Sequence, residues 1–279
     1  MKEVSIVGLD LAKRVFQVHA ARSDGSVVLR RQLSRGQVVT FFTELPKCIV
    51  AMEACATAHY WAREIGKLGH DVRLIPPAYV KPVVKRQKND AADAEAIVEA
   101  ATRPSMRFVV PNTESQQACS MLFRTRDLFV RQRTQLINAL RAHLAEHGVI
   151  APQGIASLAL LAEIVEDPDA GLDLIVVETA RLYLEQMGVL SSRIASLEKA
   201  LRSEAKRSQS TARLMSMPGM GPITAMAVET FAPTMVTFRR GRDFAACWRS
   251  HSLSYPRPRE RGQSGTGRNG ALSRSARVG

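Results

Sequence analysis

The stretch "VSIVGLDLAKRVFQVHAA", residues 4–21, holds two strand patterns separated by a short cationic turn. Val4, Ile6 and Gly8 alternate as a strand that ends on Asp10, and the run from Val15 to Ala21 reads as a second strand. Ser26 to Leu33 is a third, and the Asp24-Gly25 turn pairs it with the second as a hairpin. Ile49-Val-Ala-Met is a short apolar run of the kind found in a strand buried on both faces. A helix pattern follows over about 56–68, closed by Gly69. Asp71 to Ile75 is another strand, stopped by Pro76-Pro77. The alanine-rich "KNDAADAEAIVEA", residues 88–100, is a further helix. Three strands followed by strand–helix–strand–helix predict an α/β domain on a mixed sheet over residues 1–110.

The texture changes at Pro111. Thr113-Glu-Ser-Gln116 has the form of a capping box, and a long amphipathic helix is expected from there to His147, ended by Gly148. Its apolar stripe is read as Ala118, Met121, Leu122, Phe129, Leu136, Leu140 and Leu144, with Arg124, Arg126, Arg131, Arg133 and Arg141 on the other side. A second helix is expected over roughly 172–205, where Leu190, Ile194, Leu197 and Leu201 have coiled-coil spacing. An intramolecular hairpin and a dimer contact both satisfy that pattern. Residues 111–208 thus read as a helical linker. In 209–248, "MPGMGPITAMAVETF" places Pro-Gly-x-Gly between two helical patterns. That arrangement exposes backbone N–H groups at a helix N-terminus and resembles a helix–hairpin–helix element.

The chain has 39 Lys and Arg against 26 Asp and Glu, a net charge of +13, with a pI near 10.2. Such an excess favours a polyanionic partner, nucleic acid first among them. No apolar run is long enough to span a bilayer. The N-terminus runs directly into a strand pattern, so no signal peptide is expected. The four scattered cysteines show no metal or disulfide spacing and point to a reducing cytoplasm. Residues 239–279 hold ten Arg, no Lys and two acids, a net of +8. The segment 249–279, rich in Arg, Ser, Gly and Pro, is expected to be a disordered basic tail.

Against this basic background, the placement of four acids stands out. Asp10 and Glu53 each end an apolar strand, while Asp90 and Asp93 stand three residues apart on one side of a helix. Carboxylates at the ends of buried strands are costly unless paired with cations or a metal. Three separated segments, each offering oxygen ligands, suit a Mg²⁺ cage for phosphoryl transfer. Lys13, Lys81, Lys85, Arg86 and Lys88 are placed to hold a phosphate backbone beside it. Glu95 and Glu99 on the same helix read as a solvated face. An Asp on strand one, a Glu on strand four and Asp-x-x-Asp on a later helix match the ribonuclease-H-like nuclease plan.

Together "GLDLAKRVFQVHA", "AMEACATAHYWAREI", "VKRQKNDAADAEAI" and "LMSMPGMGPITAMAVETF" resemble the DEDD-type insertion-sequence transposases, relatives of the Piv DNA invertases, over about residues 3–247. The resemblance implies a RuvC-like N-terminal domain, with Asp10, Glu53, Asp90 and Asp93 as a Mg²⁺-binding catalytic tetrad. It also implies recombination of DNA (element ends and target) by a homo-oligomer assembled through the helical linker and guided by a structured RNA. Arg124, Arg131, Gly219 and Gly221 join the nucleic-acid-binding set. The mainly α C-terminal transposase domain of the family begins at 209 but is only partial here. "DFAACWRSHSL" keeps its opening and then loses the pattern; Ser264-Gly265 lacks the right context, so the family's nucleophilic serine is not assigned. A frameshift near Cys247 accounts for this and predicts a truncated, inactive copy. Two other readings stay open: a non-catalytic DNA- or RNA-binding remnant, and an actin-like ATPase or sugar kinase. The latter requires Gly-rich phosphate loops that this α/β domain lacks.

Overall fold

Five strands form one sheet in the order β3-β2-β1-β4-β5. They are β1 (Ile6–Asp10), β2 (Val15–Ala21), β3 (Val27–Ser34), β4 (Ile49–Glu53) and β5 (Asp71–Ile75). In this computed structural model residues 4–80, 90–152, 154, 157–233 and 238–251 are described, the side chains of 90–92, 157 and 247–251 excepted. β1, β2 and β3 make an antiparallel meander, whereas β4 and β5 run parallel to β1. The β2–β3 turn is the expected one: Gly25 adopts φ 85°, and Asp24 Oδ1 accepts the Ser26 N–H at 2.8 Å. This is the mixed ribonuclease-H-like sheet that the sequence predicts.

Alternation along the strands divides the core in two. Val7, Leu9, Val50 and Met52 face one layer, with Phe42 of α1 (Val38–Glu44) and Trp61 and Ile65 of α2 (Ala58–Lys67). Ile6, Ala51 and Ile75 face the other, beneath Ile97, Val98 and Ala101 of α4 (Asp90–Ala101). A short α3 (Pro77–Val80) follows β5. Gly8 is where α4 comes closest: a Cβ there would stand 2.3 Å from the Ala94 carbonyl oxygen and 2.7 Å from a Val98 methyl. A strand glycine under an alanine-rich helix is what permits that approach. Glu95 departs from the solvated face expected of it, since it receives Arg30 of β3 at 3.0 Å and ties α4 to the sheet. Glu99 does lie on the surface, beside Arg103.

The long helices follow: α5 (Glu114–Ala145), α6 (Ser157–Glu166), α7 (Leu174–Arg207), α8 (Gln209–Met215) and α9 (Pro222–Phe231). The capping box opens α5 as expected, with Thr113 Oγ1 accepting from Gln116 N–H and the Gln116 side chain accepting from Thr113 N–H. Three of the four residues in the 190–201 spacing pack within the chain, and Leu197 is half-buried. Leu190, Ile194 and Leu201 are buried, α7 packs along α5 and also meets α9, and Phe123 stacks edge-on against Phe231.

Two sequence readings of α5 need correction. Its buried N-terminal positions are Cys119, Ser120 and Phe123, and Met121 is 71% exposed. The arginines are not on one outer side either. Arg126 reaches Glu198 of α7 at 2.6 Å, Arg133 reaches Ser191, and Arg141 reaches the Ala151 carbonyl, whereas Arg124 and Arg131 are exposed. Cross-packing by α7 and α9 selects a face rotated from the one read from α5 alone, and long arginines bury their stems beneath it.

Arg126 and Glu198 are about three-quarters buried, so their pairing is worth more than a surface bridge. Burial pushes the Glu198 carboxyl up, but the Arg126 hydrogen bond and the charges of Arg126 and Arg202 outweigh it and hold the group below its usual range. Arg126→Ala is expected to cost about 1–3 kcal/mol of stability at neutral pH. Because the folded carboxyl is the stronger acid, the pair's contribution is complete above the unfolded value of about 4.3 and fades as pH falls through the folded one. Denaturant melts of wild type and variant should therefore differ at pH 7 and converge in acid.

The chain divides into two compact units, Met1–Thr237 and Phe238–Gly279. In the second, α10 (Gly241–His251) is described, with Phe238 edge-on against Phe244. No helix among the described residues is long and apolar enough to cross a membrane.

Candidate active site

The carboxyl ends of β1 and β4 bring the first two acids together. These strands pair in parallel with Leu9 opposite Met52, so the next positions, Asp10 and Glu53, end neighbouring strands on the same face of the sheet. That face is the one covered by α4. Both side chains are half-buried, and so is Asp93, in the first turn of α4 and next to the Ala94 carbonyl that lies over Gly8. Asp90 begins α4, but its side chain lies outside the described residues, as do Lys81, Lys85, Arg86 and Lys88 altogether. Among the described side chains, no group of three or more His, Cys, Asp or Glu gathers as a metal cage.

A reporter of the local field sits beside the pair. Burial pushes the Cys55 thiol up, and the negative charges of Glu53 and Asp10 push it further in the same direction. Both carboxylates therefore act on one spot at the sheet edge, and the thiol there stays protonated at neutral pH. The donors converging there are carboxylate oxygens, the ligand type that a hard divalent cation requires.

Backbone strain marks the same edge. Thr57, four residues after Glu53, takes φ 73° at the entry to α2, the sole positive-φ non-glycine among the described residues. A β-branched residue in that region is strained, and such strain collects at functional sites. Thr57→Gly should raise stability by about 1 kcal/mol in a thermal melt, since glycine adopts this conformation without the Cβ clash.

The remaining residues of the expected site are spread over the first unit. Lys13 is exposed in the β1–β2 turn, three residues beyond Asp10. Arg131 is paired with Asp127 at 2.9 Å, and Arg124 is exposed. Gly219 adopts φ 82° in the turn between α8 and α9, and Gly221 is the N-cap of α9 with Pro222 at its first position. The first N–H groups of α9 are thereby left without an intrahelical acceptor. Ser264 and Gly265 lie outside the described residues.

Residues 7–148, half of the chain, match the family model of DEDD transposases of the IS110 type, described as "Transposase". The protein belongs to the DEDD transposase family. A probable family 20 transposase of Pseudomonas aeruginosa is 48% identical over 87% of this chain and 72% of its own length. The transposase for insertion sequence element IS1328 of Yersinia enterocolitica is 42% identical over 88% of this chain and 73% of its own. That for IS1111A of Coxiella burnetii is 36% identical over 88% and 68%. The solved structure "T. thermophilus RuvC in complex with Holliday junction substrate" aligns with 37% of this chain and 98% of its own. At 13% identity and a TM-score of 0.29, that superposition is too loose to carry an inference. In this DEDD transposase, the family match spans β1, β4, α4 and α5, and so includes all four acids of the motif.

Proposed function

We propose that this transposase cleaves and exchanges DNA strands at a divalent-metal site built from Asp10, Glu53, Asp90 and Asp93. The observation that carries the reading is the pairing of Asp10 and Glu53 at the ends of parallel β1 and β4, under the helix that bears the other two acids. Mg²⁺ is the ion best matched to an oxygen-only donor set that also takes up phosphate oxygens. When bound, such an ion stabilises charge on the attacking and leaving oxygens of a phosphoryl transfer. The protein's own part is positional. β1 and β4 fix two carboxylates at a rigid sheet edge, and Gly8 lets α4, which carries Asp93 in its first turn, lie close over β1.

The basic residues complete the reading. Lys13, Lys81, Lys85, Arg86, Lys88, Arg124 and Arg131 hold phosphates around the site, and the Gly219–Gly221 turn offers backbone N–H groups to a further one. In domain terms, 1–110 is the catalytic domain and 111–208 the linker. Residues 209–248 open a C-terminal domain, and 249–279 are a basic tail. The enzyme works in the cytoplasm as a homo-oligomer joined through the linker, with a structured RNA from the element selecting the DNA. The segment after Cys247 reads as out of frame, which would leave this copy without its nucleophilic serine and inactive.

The test is binding and recombination of the element's junction DNA by this chain and a frame-restored version, with and without Mg²⁺ and the RNA. Binding by both, with recombination only by the restored form in Mg²⁺, supports the reading. Recombination that survives Asp10→Ala would overturn the metal site, and a locus in which neither alternative frame restores a family C-terminus would overturn the frameshift.

A further inference from the structure

The sheet edge that presents Asp10 and Glu53 continues into the first turns of α2, where His59 and Arg63 stand one helical turn apart. Both are tied to the segment that leads into α5. His59 Nδ1 accepts the Asn112 N–H at 3.0 Å, and Arg63 Nη1 donates to the Asn112 carbonyl at 2.9 Å. With Nδ1 committed as an acceptor, the neutral imidazole carries its proton on Nε2 and offers it as a donor. Arg63 Nε has no hydrogen-bond partner and meets the Glu114 carboxylate only at 4.0 Å. Arg124, on the third turn of α5, is exposed and forms no hydrogen bond or ion pair among the described residues.

The acids nearby are engaged elsewhere. Glu64 pairs with Lys67 at 2.7 Å, and the largely exposed Glu114 is divided between Arg63 and Lys67. Burial first, and then the charges of Arg63 and Arg124, hold the His59 imidazole below its usual range, so both guanidinium charges reach it. Arg63 Nε and the Arg124 guanidinium therefore stand near His59 with no hydrogen-bond acceptor among the described residues.

We propose that His59, Arg63 and Arg124 form a phosphate-binding site that grips the backbone of the DNA strand a few nucleotides from Asp10 and Glu53. The identity of the strand rests on the DEDD reading above; the anion site itself does not. A phosphodiester supplies acceptor oxygens to the His59 Nε2–H and to Arg124, and its charge is drawn to Arg63, which keeps the Asn112 carbonyl. Guanidinium forks suit a phosphodiester better than ammonium groups do. His59 lies six positions along the chain from Glu53, a reach of about 20 Å at most. A DNA strand advances about 3.4 Å along the axis per nucleotide, so both sites lie on one short stretch. A grip of this kind sets register without reading sequence.

The experiment is duplex DNA binding by the full chain, measured from about 50 to 200 mM salt. Arg124→Ala should lower the slope of log K against log salt by about 0.9, one phosphate's worth of counterions, and equally for unrelated sequences. Arg124→Lys should keep the slope, and Arg181→Ala, which removes an exposed arginine paired with Glu166, should leave it unchanged. An unchanged slope in Arg124→Ala, or an equal fall in Arg181→Ala, would overturn the site. A fall seen only with an RNA duplex of the same length would overturn its assignment to the DNA strand. Asp10→Asn in the frame-restored chain separates the two proposals: if it leaves cleavage intact while Arg124→Ala still lowers the slope, the DEDD reading fails and the phosphate site stands.

Discussion

Asp10→Ala is expected to lower metal-dependent strand cleavage by on the order of 10³-fold or more in a frame-restored chain, about 4 kcal/mol of transition-state stabilisation. Glu53→Gln should do the same. The two side chains end neighbouring parallel strands, so neither can substitute for the other, and a site with one strand carboxylate loses an anchor of its cation. Both groups are only half-buried, and neither supports the apolar layers on either side of the sheet. Melting temperatures should therefore stay within a few degrees of wild type. Cleavage that persists in either variant at unchanged Mg²⁺ dependence would remove these residues from the catalytic site. Cys55 gives an independent readout: the thiol should ionise more readily once Asp10 or Glu53 is neutralised, because their charges help to push it up. Rates of thiol alkylation against pH would show the profile moving to lower pH in both variants.

Gly8→Ala is expected to be the most destabilising single-methyl change in the α/β core, at about 2–4 kcal/mol. The added Cβ would meet the Ala94 carbonyl oxygen at 2.3 Å, a backbone atom that cannot move without moving α4. For a chain of this size the loss corresponds to roughly 5–15 °C in melting temperature. Any fraction that folds must hold α4 further from the sheet, and with it Asp93, so cleavage by the frame-restored chain should fall even below the melting transition. A small-to-large change at a surface glycine without near neighbours, such as Gly36→Ala, should do neither. A stable, active Gly8→Ala protein would show that α4 does not need its close seat.

Much of this could be read from local pattern. The meander came from period-two alternation and the Asp24-Gly25 turn, the start of α5 from Thr113 and Gln116, and its end from Gly148, which adopts φ 81°. Each of those signals acts within a few residues. α1 is disguised by its composition, because "VVTFFTE" is β-branched and aromatic and resembles a strand. Its buried residues Val38, Phe41 and Phe42 have helical spacing, and Ser34 and Gln37 form a capping box ahead of it, so a signal was present. His59 and Arg63 gave no signal of their own, since their role depends on Asn112, about fifty residues away.

The sequence alone determined which residue types end each strand, and so the chemistry available at Asp10, Glu53, Asp90 and Asp93. Alternation and turn residues are properties of neighbours along the chain, and they survive without knowledge of the rest. Tertiary structure decided what those residues stand beside. β1 and β4 are parallel and lie some forty residues apart, a pairing that no local pattern encodes, and only their register puts Asp10 next to Glu53. The same holds for α5, whose buried face was set by α7 and α9 rather than by its own periodicity. A helix with apolar residues on more than one side takes its orientation from whichever neighbour buries the larger area.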